Sequence, residues 1–337
     1  MRVLFVTNMW PEEERPWYGT FVRAQAQSLR DLGVEVDPLA IRGYASRWAY
    51  LSAAGVMVRL PRGRYDVIHA HYGHAGVVAR LRPGTPLVVS YCGDDLLGTV
   101  DAAGRVTRRS ALEAAVFRRL AHVASATVTK SEQMAQRLPA SCRGRNRVIP
   151  NGVDLERFRP VARERARALL GWTGSEPVVL FVGDPAVAVK NHPLARAAVE
   201  RLRDSVPDAR LHVVCRVAPA EIPVLMSAAD ALLVTSRSEG SPNVVKEAMA
   251  SELPVVSTPV GDVEERLDGV AGCFVRPGEP GALAAALAAA LRHGRAPEAR
   301  RAVAPWSAGA VARRILGVYE DILADPVGPA ISPGSVG

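Results

Sequence analysis

Glu239 and Glu247 are the residues whose types and spacing carry the most chemistry. Between them runs Gly240-Ser241-Pro242-Asn243-Val244-Val245-Lys246, turn formers passing into a helical run. Pro242 falls where a first-turn proline is tolerated, and Gly240 lets the backbone approach a ligand closely. The free N–H groups and the dipole of such a helix start make an anion site suited to a diphosphate. Carboxylates framing that site would accept hydrogen bonds from hydroxyls on both sides of the diphosphate, a sugar on one side and a ribose on the other. The bland alternative makes Glu239 a helix-dipole carboxylate and Glu247 the partner of a neighbouring Arg. Glu247 is expected to be buried among Val244, Val245, Ala248 and Met249.

The elements that must position this string alternate regularly. Short apolar runs at 3–7, 34–39, 66–70, 86–90, 126–129 and 147–150 read as strands, with helical patterns at 19–32 and 108–121. Turn chemistry at Pro150-Asn151-Gly152-Val153-Asp154 interrupts the rhythm and places a domain boundary. Strand runs then return at 178–182, 211–214, 231–235, 254–257 and 273–275, with helices at 193–204, 243–251, 280–292 and 307–323. This alternation predicts an α/β protein of parallel sheets covered by helices, whose ligands sit in loops just after strands. Residues 325–337, rich in Pro, Gly and Ser, are expected to be a disordered tail.

Composition narrows the class. A chain of 337 residues suits two domains, and 48% hydrophobic with 23% charged residues is ordinary for a globular enzyme. The net charge of +8 favours an anionic partner; nucleic acid, which only that charge supports, is discounted. Cys92, Cys142, Cys215 and Cys273 form no CxxC pair, so neither a disulfide framework nor a zinc site is expected. No run has the length of a signal peptide or a membrane span. The expected location is cytoplasmic, with at most peripheral contact at the inner membrane face.

The chain resembles the glycosyltransferase family 4 group, of group 1 type, whose hallmark is Glu-x7-Glu in an EG-x-P…EAMA setting. Glu239 and Glu247 have that spacing. Thr7-Asn8-Met9-Trp10-Pro11 with Tyr18-Gly19-Thr20-Phe21-Val22 resembles the first strand and glycine loop. Tyr65-Asp66-Val67-Ile68-His69-Ala70-His71 is similar to a "DVIHAH" strand, and residues 148–154 to an "IPNGVD" interdomain segment. The resemblance implies the GT-B architecture: two Rossmann-like domains with parallel sheets facing a central cleft. Residues 1–150 would bind acceptor and 151–306 the donor, the helix at 307–323 packing back on the first domain. It implies a retaining transferase with no bound metal and no cofactor, taking a nucleoside-diphosphate sugar, UDP or GDP, as donor. Glu247 would hold the ribose and Glu239 the sugar. Amides at Gly240, Ser241, Asn243 and Val244 would meet sugar and diphosphate, and Gly19 and Thr20 would approach the phosphates from the opposite wall. Lys190 would neutralise the leaving diphosphate.

Three departures bear on the site. Asp184 stands after Gly183 where the family has Arg, so Arg216 or Arg237 is the expected substitute, unless Lys190 serves alone. Cys92 replaces a His in Ser90-Tyr91-Cys92-Gly93-Asp94-Asp95, where Cys92, Asp95 and His71 are candidates for a sugar or acceptor pocket. Asp94-Asp95 is rejected as a metal pair because adjacent residues point apart. The stretch between Val214 and Asp230 lacks an αβ unit, leaving the loop 215–223 as the wall near the nucleobase. The stretch 43–60, with Tyr44, Trp48, Tyr50 and Leu51 among arginines, reads as a packed helix ahead of an acceptor-binding or membrane-touching flap. The reaction expected is transfer to a hydroxyl or amine of a small-molecule, glycan or lipid-linked acceptor by a front-face mechanism. A nucleotide-sugar epimerase and a catalytically weakened sugar-nucleotide-binding module are the alternatives.

Overall fold

Runs such as Val3-Leu4-Phe5-Val6 are apolar at every position, and only a strand covered on both faces buries them all. The computed structural model describes residues 1–324, so the tail 325–337 lies outside the described residues. In it β1 (Arg2–Thr7) is buried at every position but the first. β1 belongs to a six-stranded parallel sheet with β2 (Glu35–Ala40), β3 (Val67–His71), β4 (Leu87–Ser90), β5 (Ala126–Thr129) and β6 (Asn146–Val148). The order is β2-β1-β3-β4-β5-β6. The second sheet holds β7 (Val178–Val182), β8 (Arg210–Val214), β9 (Ala231–Val234), β10 (Val255–Ser257) and β11 (Phe274–Val275). It too is parallel, in the order β11-β10-β9-β7-β8. β6 stops short of the run at 147–150 because Pro150 has no N–H to offer a ladder.

Both sheets reverse their winding at their first strand, β1 between β2 and β3, and β7 between β8 and β9. In doubly wound sheets the ligand crevice opens outside the carboxyl ends at that switch. The loops after β1 and β7 carry Gly19 and Lys190, and the loop after β9 carries Glu239. Only the short helix Ile222–Ala228, entered by a turn at Pro219–Glu221, joins β8 to β9.

Helices Trp48–Arg59, Gly73–Ala79 and Arg108–Val123 cover one face of the first sheet, burying Met57, Val78, Phe117 and Leu120 with Ile68 and Val89. The other face is closed by Thr20–Arg30 and by the last helix, Ala308–Ala324, whose Val311, Ile315, Val318 and Tyr319 join Val3, Phe5, Val22 and Leu29. The chain therefore passes twice between the sheets. The passages touch: Val153 N–H donates to Trp306 O at 3.0 Å, and Ala308 N–H to Val153 O at 2.8 Å. A Cβ on Gly152 would stand 2.7 Å from Ala308 Cα, so glycine is required for that approach.

Candidate active site

Residues 8–19 leave β1 and fold back before the helix Thr20–Arg30. Gly19 makes this turn with φ +71°, and a Cβ there would lie 2.3 Å from the Met9 carbonyl carbon. Thr20 therefore opens its helix on the cleft, beside Arg15 and Trp17. The opposite wall carries Gly183 and Asp184 after β7, Cys215 and Arg216 after β8, and Arg157 and Glu247. The space between is about 340 Å³.

Lys190 and Glu239 come together beside Gly183 of this second wall. Lys190 Nζ lies 2.6 Å from Glu239 Oε1, with both side chains partly shielded from water. Ser236 Oγ donates to the same Glu239 oxygen at 2.8 Å. Gly183 lets the Lys190 stem lie close, 3.3 Å from where a Cβ would be. Glu247, half-buried rather than enclosed, faces the cleft from the helix Asn243–Ala250. Burial pushes its carboxyl up to about 6, against the opposing charges of Arg157 and Lys246.

The start of that helix is fixed by groups the spacing did not reveal. Lys246 is fully buried; its Nζ donates to Ser241 Oγ at 2.8 Å, and Ser241 Oγ donates to Asp262 Oδ2 at 2.9 Å. Arg266 pairs with the same Asp262 oxygen. Burial draws the Lys246 ammonium down to about 7, which the charge of Asp262 opposes. The network anchors Ser241, so the backbone beside Gly240 is held before any ligand arrives. Asn243 opens the helix and its Oδ1 accepts from Asn151 Nδ2 at 3.2 Å, which ties the helix start to the chain crossing. Val244 follows, half-buried. Gly240 packs against the first sheet's loops: a Cβ there would lie 2.7 Å from Met134 Sδ and 3.3 Å from Cys92 O.

Asp95 and Cys92 lie in the segment after β4 that Gly240 approaches. Asp95 is buried and its oxygens are taken, Oδ1 by the N–H groups of Cys92 and Gly93 at 2.9 Å each, Oδ2 by Gly73 N–H at 3.0 Å. Through these three bonds it ties the loops after β3 and β4 to each other. Burial raises its carboxyl to about 7 despite them. The Cys92 thiol donates weakly to Ser90 O at 3.6 Å, and burial pushes its pKa up, which disfavours the reactive thiolate. His71 lies fully buried against Phe5 and stacks on His69 at 4.2 Å, and neither ring nitrogen has a hydrogen-bond partner among the described residues.

Of the cations considered for the place of Asp184, Arg216 reaches Asp184 itself at 2.9 Å on the cleft wall, and Arg237 is tied to Asn191 Oδ1 at 2.9 Å. Arg15 and Arg157 also line the cleft and were not singled out by spacing. Arg15 stacks on Tyr18 and Tyr44, at 4.7 and 4.3 Å from the ring centres.

The family described as Glycosyltransferase Family 4 matches residues 2–157, and the one described as Glycosyl transferases group 1 matches residues 214–293. A D-inositol 3-phosphate glycosyltransferase of Acidothermus cellulolyticus is 33% identical over 310 residues, which cover 78% of this chain and 68% of that protein. Of two other curated relatives with that name, from Nocardia farcinica and Geodermatophilus obscurus, the chain spans 59% and 60% of the length. Sucrose-phosphate synthase from Thermosynechococcus elongatus superposes with a TM-score of 0.76 at 19% identity, over 96% of this chain and 99% of that one. Anabaena HepE in complex with UDP-glucose superposes with a TM-score of 0.62 at 19% identity, over 97% and 99%. The chain belongs to the group 1 glycosyltransferases, and its fold is GT-B.

Proposed function

We propose that this chain is a retaining glycosyltransferase that moves a sugar from a nucleoside diphosphate to an acceptor hydroxyl or amine, without a metal ion. The observation that carries the reading is the Lys190–Glu239 pair beside the anchored helix start that also bears Glu247. Glu247 lines one wall of the cleft opposite Thr20, and the Lys190–Glu239 pair stands beside Gly183 of that same wall. UDP is the favoured carrier, supported by the fold shared with HepE, which was solved with UDP-glucose. The donor lies mainly on the second sheet's loops and the acceptor mainly on the first's.

In the proposed step the bond from the anomeric carbon to the β-phosphate oxygen breaks, and its electron pair goes to the diphosphate. Lys190 and the amides at 240–244 stabilise the charge that develops. The departing oxygen takes the acceptor's proton, and the acceptor oxygen or nitrogen bonds to the same face of the sugar, which retains configuration. Glu239 holds Lys190 in place before the donor binds, so little reorganisation accompanies the reaction. Glu247 fixes the ribose.

The test is incubation with UDP-, GDP-, ADP- and TDP-sugars over a panel of acceptors, with the product's anomeric configuration read by proton NMR. Transfer with retention is expected. Interconversion of nucleotide sugars without transfer would assign an epimerase, and nucleotide binding without turnover a binding module.

A further inference from the structure

Helix Trp48–Arg59 buries only Ala53 and Met57. Its outer face presents Trp48, Leu51 and Val58, at 75%, 62% and 65% exposure. Their spacing places them on one stripe of the helix. The neighbouring helix Gly73–Ala79 adds exposed Val77 and then Leu81, and beyond it Arg108–Val123 adds Leu112 and Val116. These helices lie side by side on the same face of the first sheet, so the apolar side chains belong to one surface. Such a surface, rimmed by polar groups, marks an interaction site.

Its charge identifies the partner. From Pro38 to Gly93 there are seven arginines, no lysine and a single carboxylate, so this stretch carries six of the chain's eight net positive charges. That carboxylate, Asp66, accepts from the backbone N–H of Arg2 at 2.7 Å. Arg42 pairs with Glu12. Arg47, Arg59, Arg62 and Arg64 are exposed, with no ion pair among the described residues. Unpaired guanidinium groups around an exposed Trp and large aliphatic side chains match a surface that offers anionic headgroups over hydrocarbon. A nucleic acid would satisfy the arginines and leave Leu51 and Val58 without a partner. No helix among the described residues is long and apolar enough to cross a membrane, so the contact would be interfacial.

We propose that the outer face of helix Trp48–Arg59, with the flanking arginines, docks on an anionic bilayer surface. This does not depend on the transfer reaction proposed above. The inner face of the same helix carries Tyr50, whose hydroxyl accepts from Asn8 Nδ2 at 3.2 Å in the loop after β1. Docking therefore brings the first-sheet wall of the cleft to the headgroup layer.

The test is co-sedimentation of the full chain with phosphatidylcholine vesicles, with or without phosphatidylglycerol, alongside a duplex DNA control. Binding is expected to the anionic vesicles alone and to weaken with added salt. The double variant Trp48→Glu/Leu51→Glu and the triple variant Arg59→Gln/Arg62→Gln/Arg64→Gln should each bind at least about tenfold more weakly. All five positions are exposed, so unchanged melting temperatures should accompany the loss. Failure of the wild type to sediment, equal binding to neutral vesicles, or variants that bind as wild type would overturn the proposal. DNA binding removed by the same variants, without vesicle binding, would assign the face to nucleic acid instead.

Discussion

Lys190 and Glu239 meet at 2.6 Å although they leave different strands, β7 and β9, of the second sheet. The pair spans the switch point where a doubly wound sheet opens its crevice. The carboxylate keeps the ammonium oriented.

Lys190→Ala should lower kcat more than it raises the donor KM, because negative charge on the diphosphate is greatest in the transition state. Glu239→Gln removes the partner and should also lower kcat. Steady-state kinetics over a range of donor concentrations separates the effects. A change confined to KM would make Lys190 a binding residue only.

Glu247→Gln should weaken nucleotide binding by about 1.5–3 kcal/mol, the worth of a hydrogen bond to a charged group. The wild-type carboxyl titrates near 6. Below that pH it becomes protonated and loses acceptor capacity, so nucleotide affinity should fall with acidification. The glutamine variant should show no such inflection. Calorimetry across this pH range checks both, and wild-type affinity that is flat through pH 6 would refute the ribose role.

Acid should destabilise the fold through the buried histidines. His69 is held between Tyr319 Oη at 2.5 Å and Ser90 Oγ at 2.8 Å, and burial lowers its pKa from 6.5 to about 3. The folded state binds fewer protons there than the unfolded one. Its contribution is full above pH 6.5 and is lost as pH falls toward 3, at up to about 1.4 kcal/mol per pH unit. His71 shifts the same way. Asp95 acts oppositely, its raised carboxyl contributing most below pH 3.8 and losing that as pH rises through about 7. Melting temperatures between pH 7 and 5 should fall more steeply for wild type than for His69→Gln; parallel curves would contradict the assignment.

Chelation should leave turnover intact if Lys190 and the helix start supply the charge that a divalent ion supplies in other transferases. The check is activity after dialysis against EDTA. Loss restored by Mg2+ or Mn2+ would reopen the acidic side chains near the cleft as ligands.

Nucleotide should draw the sheets together, since the cleft's two walls belong to different sheets. Small-angle scattering should give a smaller radius of gyration with saturating nucleoside diphosphate. Gly152→Ala, which forces a methyl against Ala308, should slow turnover more than it weakens nucleotide binding. Superimposable scattering curves would place the cleft already closed.

The strands were legible because continuous apolar runs bounded by turn formers have few other uses. The string from Glu239 to Ala250 was legible because its chemistry is local: a turn, a helix start and carboxylates at fixed offsets. What escaped is what folding brings together. Lys246 reads as an interruption in an apolar helix face until Asp262, on a separate element, is placed beside Ser241. Arg15 and Arg157 become cleft residues only when two sheets face each other. Asp95 has the type and position of a pocket carboxylate; that it also accepts from three backbone amides was not legible, because backbone donors leave no mark in a sequence. The stretch 43–60 reads as a packed helix, and nothing in it says that Trp48, Leu51 and Val58 of the helix that forms, Trp48–Arg59, face outward.

The last helix gives the chain an unusual order of completion. Tyr319 and Ile315 fill the core against β1, so the first-made sheet is finished by residues made after the whole second sheet. During synthesis the amino-terminal half must leave the ribosome with Val3, Phe5, Val22 and Leu29 incompletely covered, and wait for the whole second sheet to follow. A fragment ending at the chain crossing would carry that apolar face permanently bare. The first half thus depends on a helix made after the second sheet, and damage near Tyr319 would be felt at β1, more than three hundred residues upstream in sequence and side by side in space.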